Sequence, residues 1–84
     1  MSTGGFPTYI ATNDTYTIVA SSGELVRIIV GTTANGAITI ADGATTIGVL
    51  KANVAEGTYE FGCRFATSLI ITTASTSKIT VITR

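Results

Sequence analysis

TYEFGCRFATSLIITTASTSKITVITR, residues Thr58 to Arg84, reads as three short β-strands in succession. Successive side chains of a strand point to opposite sides. In Thr58–Phe65 this places Tyr59, Phe61, Cys63 and Phe65 on one face, and Glu60, Gly62 and Arg64 on the other. Ser68–Thr73 and Lys78–Arg84 follow, separated by the small polar run Ala74-Ser75-Thr76-Ser77. Thr and Ile dominate these segments, and β-branched side chains suit a pleated surface better than a helix. None of the 27 residues forms a pattern that runs chemistry.

Upstream, the same style repeats. Strand signals fall at Thr8–Thr12, Thr15–Ala20, Glu24–Gly31, Ala37–Ala41 and Thr45–Ala52, with turn residues between them. Asn35-Gly36 and Asp42-Gly43 are pairs that tolerate positive φ and mark hairpins. Only Val49–Glu56 has helix formers enough to compete with a strand. Short strands at this spacing are the mark of an all-β sandwich or small barrel. The sequence therefore predicts a small antiparallel β-sandwich, jelly-roll-like, of about eight short strands. Residues 8–84 form its single domain, and residues 1–7, with Gly4-Gly5 before Phe6-Pro7, form a flexible N-terminal arm.

Alternation assigns the inward set as Ile38 and Ile40, Ile47 and Val49, Leu69 and Ile71, and Ile79 and Val81, beside the aromatic face of Thr58–Phe65. Some apolar residues lie outside that pattern. Leu25 and Ile29 oppose Val26, Ile28 and Val30, and Leu50, Ile70 and Ile82 are also left over. A chain of 84 residues is too short for a third layer, so these residues point to a subunit interface. Arg27 and Arg64 sit mid-strand among them, where inter-subunit ion pairs would form. With Phe6 on the arm, the candidate interface is Phe6, Leu25, Arg27, Ile29, Leu50, Arg64, Ile70 and Ile82.

Composition points the same way. Five basic and five acidic side chains, with no His, give zero net charge, and only 12% of residues are charged. Interface cores are depleted in charge. The basic residues are dispersed, so no field draws nucleic acid or an anionic membrane. A domain this small buries only about 60–65% of its unfolded surface and normally needs a staple. Cys63 is the sole cysteine, which rules out an internal disulfide, and a structural zinc site lacks its ligands. Oligomerisation is the staple that remains. The 17 Thr residues give a β-surface that hydrogen-bonds water without charge.

No enzyme is expected. Without His there is no Ser-His or Cys-His pair. Cys63 reads as a small buried hydrophobe, and Glu56 and Glu60 as solvated carboxylates with no aromatic-lined sugar cleft. Asp14 and Asp42 occupy turn positions where Asp caps the backbone. No phosphate loop is present, and no cofactor or metal is expected. Met1 to Pro7 has neither a basic start nor an apolar run, so the expectation is a chain made in a cytoplasm.

AEGTYEFGCRFATSLIITTASTSKITVITR, the turn Ser22-Gly23-Glu24-Leu25, the strand Val26–Val30, Gly36-Ala37-Ile38-Thr39-Ile40 and Asp42-Gly43 follow one another in a familiar order. Over residues 15–84 this patterning resembles small tailed-phage virion proteins of the capsid decoration, or cement, type. The chain departs from them at Cys63 and in a shorter region around Thr45–Leu50. The resemblance implies a compact β-sandwich on the phage head surface, with the major capsid protein and further copies of itself as partners, commonly as a homotrimer. It brings no catalytic or ligand residues, no nucleic acid and no membrane. Two other readings stay open. One is a different virion component, such as a head-fibre base, tail or baseplate protein. The other is a carbohydrate-binding β-sandwich module, which would present exposed aromatics such as Tyr9 or Tyr16.

Overall fold

A computed structural model describes residues 6–33 and 35–84. The described residues are all-β, with eight strands: β1 (Phe6–Ile10), β2 (Thr15–Val19), β3 (Gly23–Thr32), β4 (Ile38–Asp42), β5 (Thr45–Leu50), β6 (Gly57–Phe65), β7 (Leu69–Thr73) and β8 (Lys78–Thr83). They form two four-stranded antiparallel sheets. Sheet A has the order β1-β8-β3-β6, and sheet B the order β2-β7-β4-β5. β1 pairs with β8, β2 with β7, β3 with β6 and β4 with β5. The chain is thus one long ribbon folded back on itself and rolled up, with β3–β8 and β4–β7 pairing where the ribbon meets itself. This is the jelly-roll winding.

The fold line of the ribbon is Asp42-Gly43. Among the described residues β4 and β5 are the only consecutive strands that share a sheet, and Gly43 turns between them at φ 59°. Every other connection crosses from one sheet to the other. Asn35-Gly36, whose composition predicts a hairpin, is one of these crossings. Gly36 is needed there for a different reason: a Cβ at this position would stand 2.6 Å from the Ser75 backbone nitrogen. The β3–β4 and β7–β8 connections are therefore in backbone contact, and Ala74 N–H donates to Ala37 O at 3.1 Å.

The core lies between the sheets. Leu25, Ile28, Ile38, Ile40, Leu69, Ile71, Ile79 and Val81 are almost wholly buried, with Phe65 beside them. Tyr59, Phe61 and Cys63 share Phe65's face and pack on this cluster half-buried, as alternation predicts for β6. Four face assignments need correction, at Leu25, Ile47, Val49 and Leu50. Leu25 points inward with Ile28, because β3 carries one extra residue, Val26, relative to β8. Such a bulge shifts the alternation by one place. Ile47 and Val49 are exposed rather than inward. The inward places on β5 go to Gly48, opposite Ile40, and Leu50, opposite Ile38. Gly48 faces the Phe61 ring, which would stand 3.6 Å from a Cβ there, an ordinary contact distance. Phe6 and Pro7 belong to β1, opposite Thr83 and Ile82, and not to an arm. The arm's remaining residues, 1–5, lie outside the described residues.

Asp42 does a second job. Its carboxylate accepts N–H bonds from Ala66 (2.8 Å), Thr67 (2.9 Å) and Ser68 (3.3 Å), where the chain crosses from β6 to β7. These donors, Ala66 and Thr67 foremost, hold the Asp42 carboxyl below its usual 3.8, with slight burial opposing them. A depressed carboxyl pKa contributes stability above its unfolded value and loses it as pH falls through the folded one. Asp42→Asn is expected to lower Tm at neutral pH. The gap to the parent chain should close on acidification below 3.8. Tm against pH for both chains checks this, and a gap that persists unchanged in strong acid would assign the effect to something other than the charge.

Candidate interaction surface

The register of sheet A fixes its outer face. Side chains opposite one another across neighbouring strands form rows. One row is Tyr9, Thr80, Ile29 and Thr58, and the next is Pro7, Ile82, Arg27 and Glu60. Arg27 Nε meets Glu60 Oε2 at 3.0 Å. At the end of the face Arg64 lies opposite Glu24, and Glu24 pairs with Arg84 at 3.2 Å. Ile29 and Ile82 remain only half-buried in the middle of the sheet, flanked by these charges.

Three of the predicted interface residues, Arg27, Ile29 and Ile82, therefore adjoin one another, and Arg64 extends the same face. Phe6 is 74% exposed on the edge strand of that sheet. The remaining predictions scatter. Leu25 is a core residue, Leu50 packs against the core, and Ile70 belongs to the opposite face of the molecule. That opposite face, the outside of sheet B, is largely threonine: Thr15, Thr72 and Thr39 form a row ending in Val49. The Thr15 and Thr72 hydroxyls stand 3.2 Å apart. The two outer faces are thus unlike, one apolar with paired charges and one hydroxylated.

Tyr9, expected to be exposed but not placed in the candidate interface, and Ile47 and Val49, expected inward, all stand on the surface. Parity with the buried Ile10 marks Tyr9 as outward, and the flip of β5 follows from its pairing with β4, which sets Gly48 against Ile40 and Leu50 against Ile38. Tyr16 and Tyr59 are half-buried, their hydroxyls donating to Thr12 O and Ala55 O. Tyr9 is therefore the tyrosine that stands free on the surface, at 64% exposure.

At one end of the sandwich a cleft of about 610 Å³ is lined by Glu24, Asp42, Arg64 and Arg84, among others. Its charges balance, and the Asp42 oxygens are already taken by the backbone. Among the described residues no group of three or more His, Cys, Asp or Glu comes together. No buried side-chain polar atom there lacks a partner. The arrangement can bind a surface, with aromatic and aliphatic contacts at its centre and ion pairs at its rim. No family model matches the chain, and no curated protein matches it.

Proposed function

We propose that this chain is a structural virion protein of the capsid decoration type, seated on the outer surface of a phage head by the outer face of sheet A. The observation that carries the proposal is the Tyr9–Ile29–Ile82 patch beside the Arg27–Glu60 pair. Apolar area of this kind on a charge-poor domain is what a partner surface would cover. Each isoleucine fully covered would contribute roughly 1.5–3 kcal/mol, and repetition over a particle multiplies modest contacts into mechanical stability. The jelly-roll winding supports the reading by analogy of fold, since many virion shells are built from it. The major capsid protein is the proposed partner, and further copies of this chain are the second.

Co-sedimentation with particles lacking the chain tests it. The parent chain is expected to pellet with the heads and raise their resistance to heat. Arg27→Glu is expected to fold, because exposed ion pairs contribute less than about 1 kcal/mol, yet to stay in the supernatant. A parent chain that stays in the supernatant, and heads whose heat resistance it leaves unchanged, would reject the proposal. Tyr9 alone favours the carbohydrate-binding reading, and a glycan array on which the chain has no hits would close it.

A further inference from the structure

Asn or Asp precedes a glycine at two places in this chain, Asn35-Gly36 and Asp42-Gly43. In such a pair the glycine nitrogen can reach the side-chain carbonyl carbon of the residue before it, because no side chain on the glycine blocks the approach. The product is a cyclic imide. The two pairs are held differently. The Asp42 carboxylate accepts three backbone N–H bonds, from Ala66, Thr67 and Ser68, and these keep it ionised. A carboxylate is a poor electrophile, so that pair is inert.

Asn35 is the reverse case. It is exposed, its side chain is an uncharged amide, and the Ser75 hydroxyl donates to its Oδ1 at 3.0 Å. Negative charge develops on this oxygen when a nucleophile adds to the amide carbon, and a donor already in place there stabilises it. No partner for the Gly36 N–H stands among the described residues, so no hydrogen bond holds that nitrogen away from Asn35 Cγ. The other asparagines lack this setting. Asn13 is followed by Asp14, and Asn53 by the β-branched, buried Val54.

We propose that Asn35-Gly36 is a site of spontaneous deamidation and that Ser75 promotes it. Hydroxide takes the Gly36 N–H proton, the nitrogen bonds to Asn35 Cγ, and the side-chain nitrogen leaves as ammonia with a proton from water. Water then adds to one of the two imide carbonyls and breaks one C–N bond. Opening on one side gives aspartate. Opening on the other gives isoaspartate, in which the main chain runs through the former side chain. Either product is a carboxylate, so a chain of zero net charge becomes negative.

Isoaspartate also lengthens the main chain by a methylene directly before Gly36. A Cβ on Gly36 would already stand 2.6 Å from Ser75 N. The longer loop cannot be taken up on that side without parting the β3–β4 and β7–β8 connections, which the bond from Ala74 N–H to Ala37 O ties together. The sandwich therefore loosens at this end as it ages. The site goes beyond the decoration reading and is measured on the isolated chain, so the two fail separately.

The test incubates the full chain in mildly alkaline buffer, folded and in guanidinium chloride, and follows Asn35 by peptide mass spectrometry with an isoaspartyl methyltransferase assay. Asn35 is expected to convert in the folded chain at least as fast as in the unfolded one, with Asn13, Asn53 and Asp42 unchanged in the folded chain. Ser75→Ala should slow the folded reaction by about two- to tenfold, the range one net hydrogen bond supplies, and leave the unfolded reaction as it was. Circular dichroism confirms that this variant folds. The aged chain should melt below Asn35→Asp, which carries the same charge on an unaltered backbone. Conversion of Asn35 in the unfolded chain alone overturns the proposal, and so does a folded Ser75→Ala chain that converts as fast as the folded parent. An aged, isoaspartate-containing chain that melts together with Asn35→Asp overturns the loosening.

Discussion

Ile40→Ala is expected to destabilise the domain by about 2–5 kcal/mol, toward the upper end of that range. Ile40 is fully buried in β4, opposite Ile71 on one side and Gly48 on the other. Truncation costs the transfer energy of the lost carbons and that of the cavity they leave, and the cavity term falls only if neighbours can collapse into it. Gly48 has no side chain to offer, and Ile71 is held in the central part of the sheet. A domain of this size has about 4–13 kcal/mol in all, so the variant loses a large share of it. Urea unfolding checks this. The midpoint should fall with the slope unchanged, and a loss below about 1 kcal/mol would mean that Ile40 does not sit in a packed core.

Gly36→Ala is expected to cost about 2–3 kcal/mol, large for the addition of one methyl group. The new Cβ would stand 2.6 Å from Ser75 N and 2.7 Å from the Ala74 carbonyl carbon. Both are backbone atoms, so no rotamer change relieves the clash. The two connections would have to separate, straining the bond from Ala74 N–H to Ala37 O. Gly31→Ala serves as the control. Its Cβ would meet only Lys78 O, at an ordinary 3.6 Å, and its stability should stay within about 0.5 kcal/mol of the parent. Equal effects at the two glycines would show that crowding is not what Gly36 avoids.

Strand positions were legible in the sequence because β-alternation is local. The run Thr58–Phe65 differs from β6 by one residue, and the aromatic face of that strand is the face that packs on the core. What was not legible depends on a partner strand. Nothing in ELVRIIV announces that Val26 is an extra residue against β8, so the inward turn of Leu25 emerges only from the pairing. TTIGVL invites an inward Ile47 and Val49. The strand instead turns its glycine toward Phe61, a residue far off in sequence. Asn35-Gly36 looks like a hairpin, but its glycine answers to the Ala74-Ser75 backbone.

The same distinction holds for the surface. Arg27, Ile29 and Ile82 could be flagged one at a time as misplaced in the alternation. That they share two neighbouring rows with Tyr9 and Pro7 follows only from β1 and β8 lying beside β3. Leu50 and Ile70 were flagged by the same rule. One faces the core and the other the threonine-rich sheet, because β5 and β7 lie in sheet B.

We propose this sandwich as a surface component of a virion. Quantitative mass spectrometry of purified particles from the source of the chain tests it most directly, as the copy ratio of this chain to the major capsid protein. The decoration account predicts a ratio near one to one. A few to a few dozen copies would move the chain to a vertex, fibre or tail, and its absence from the particle would contradict the account.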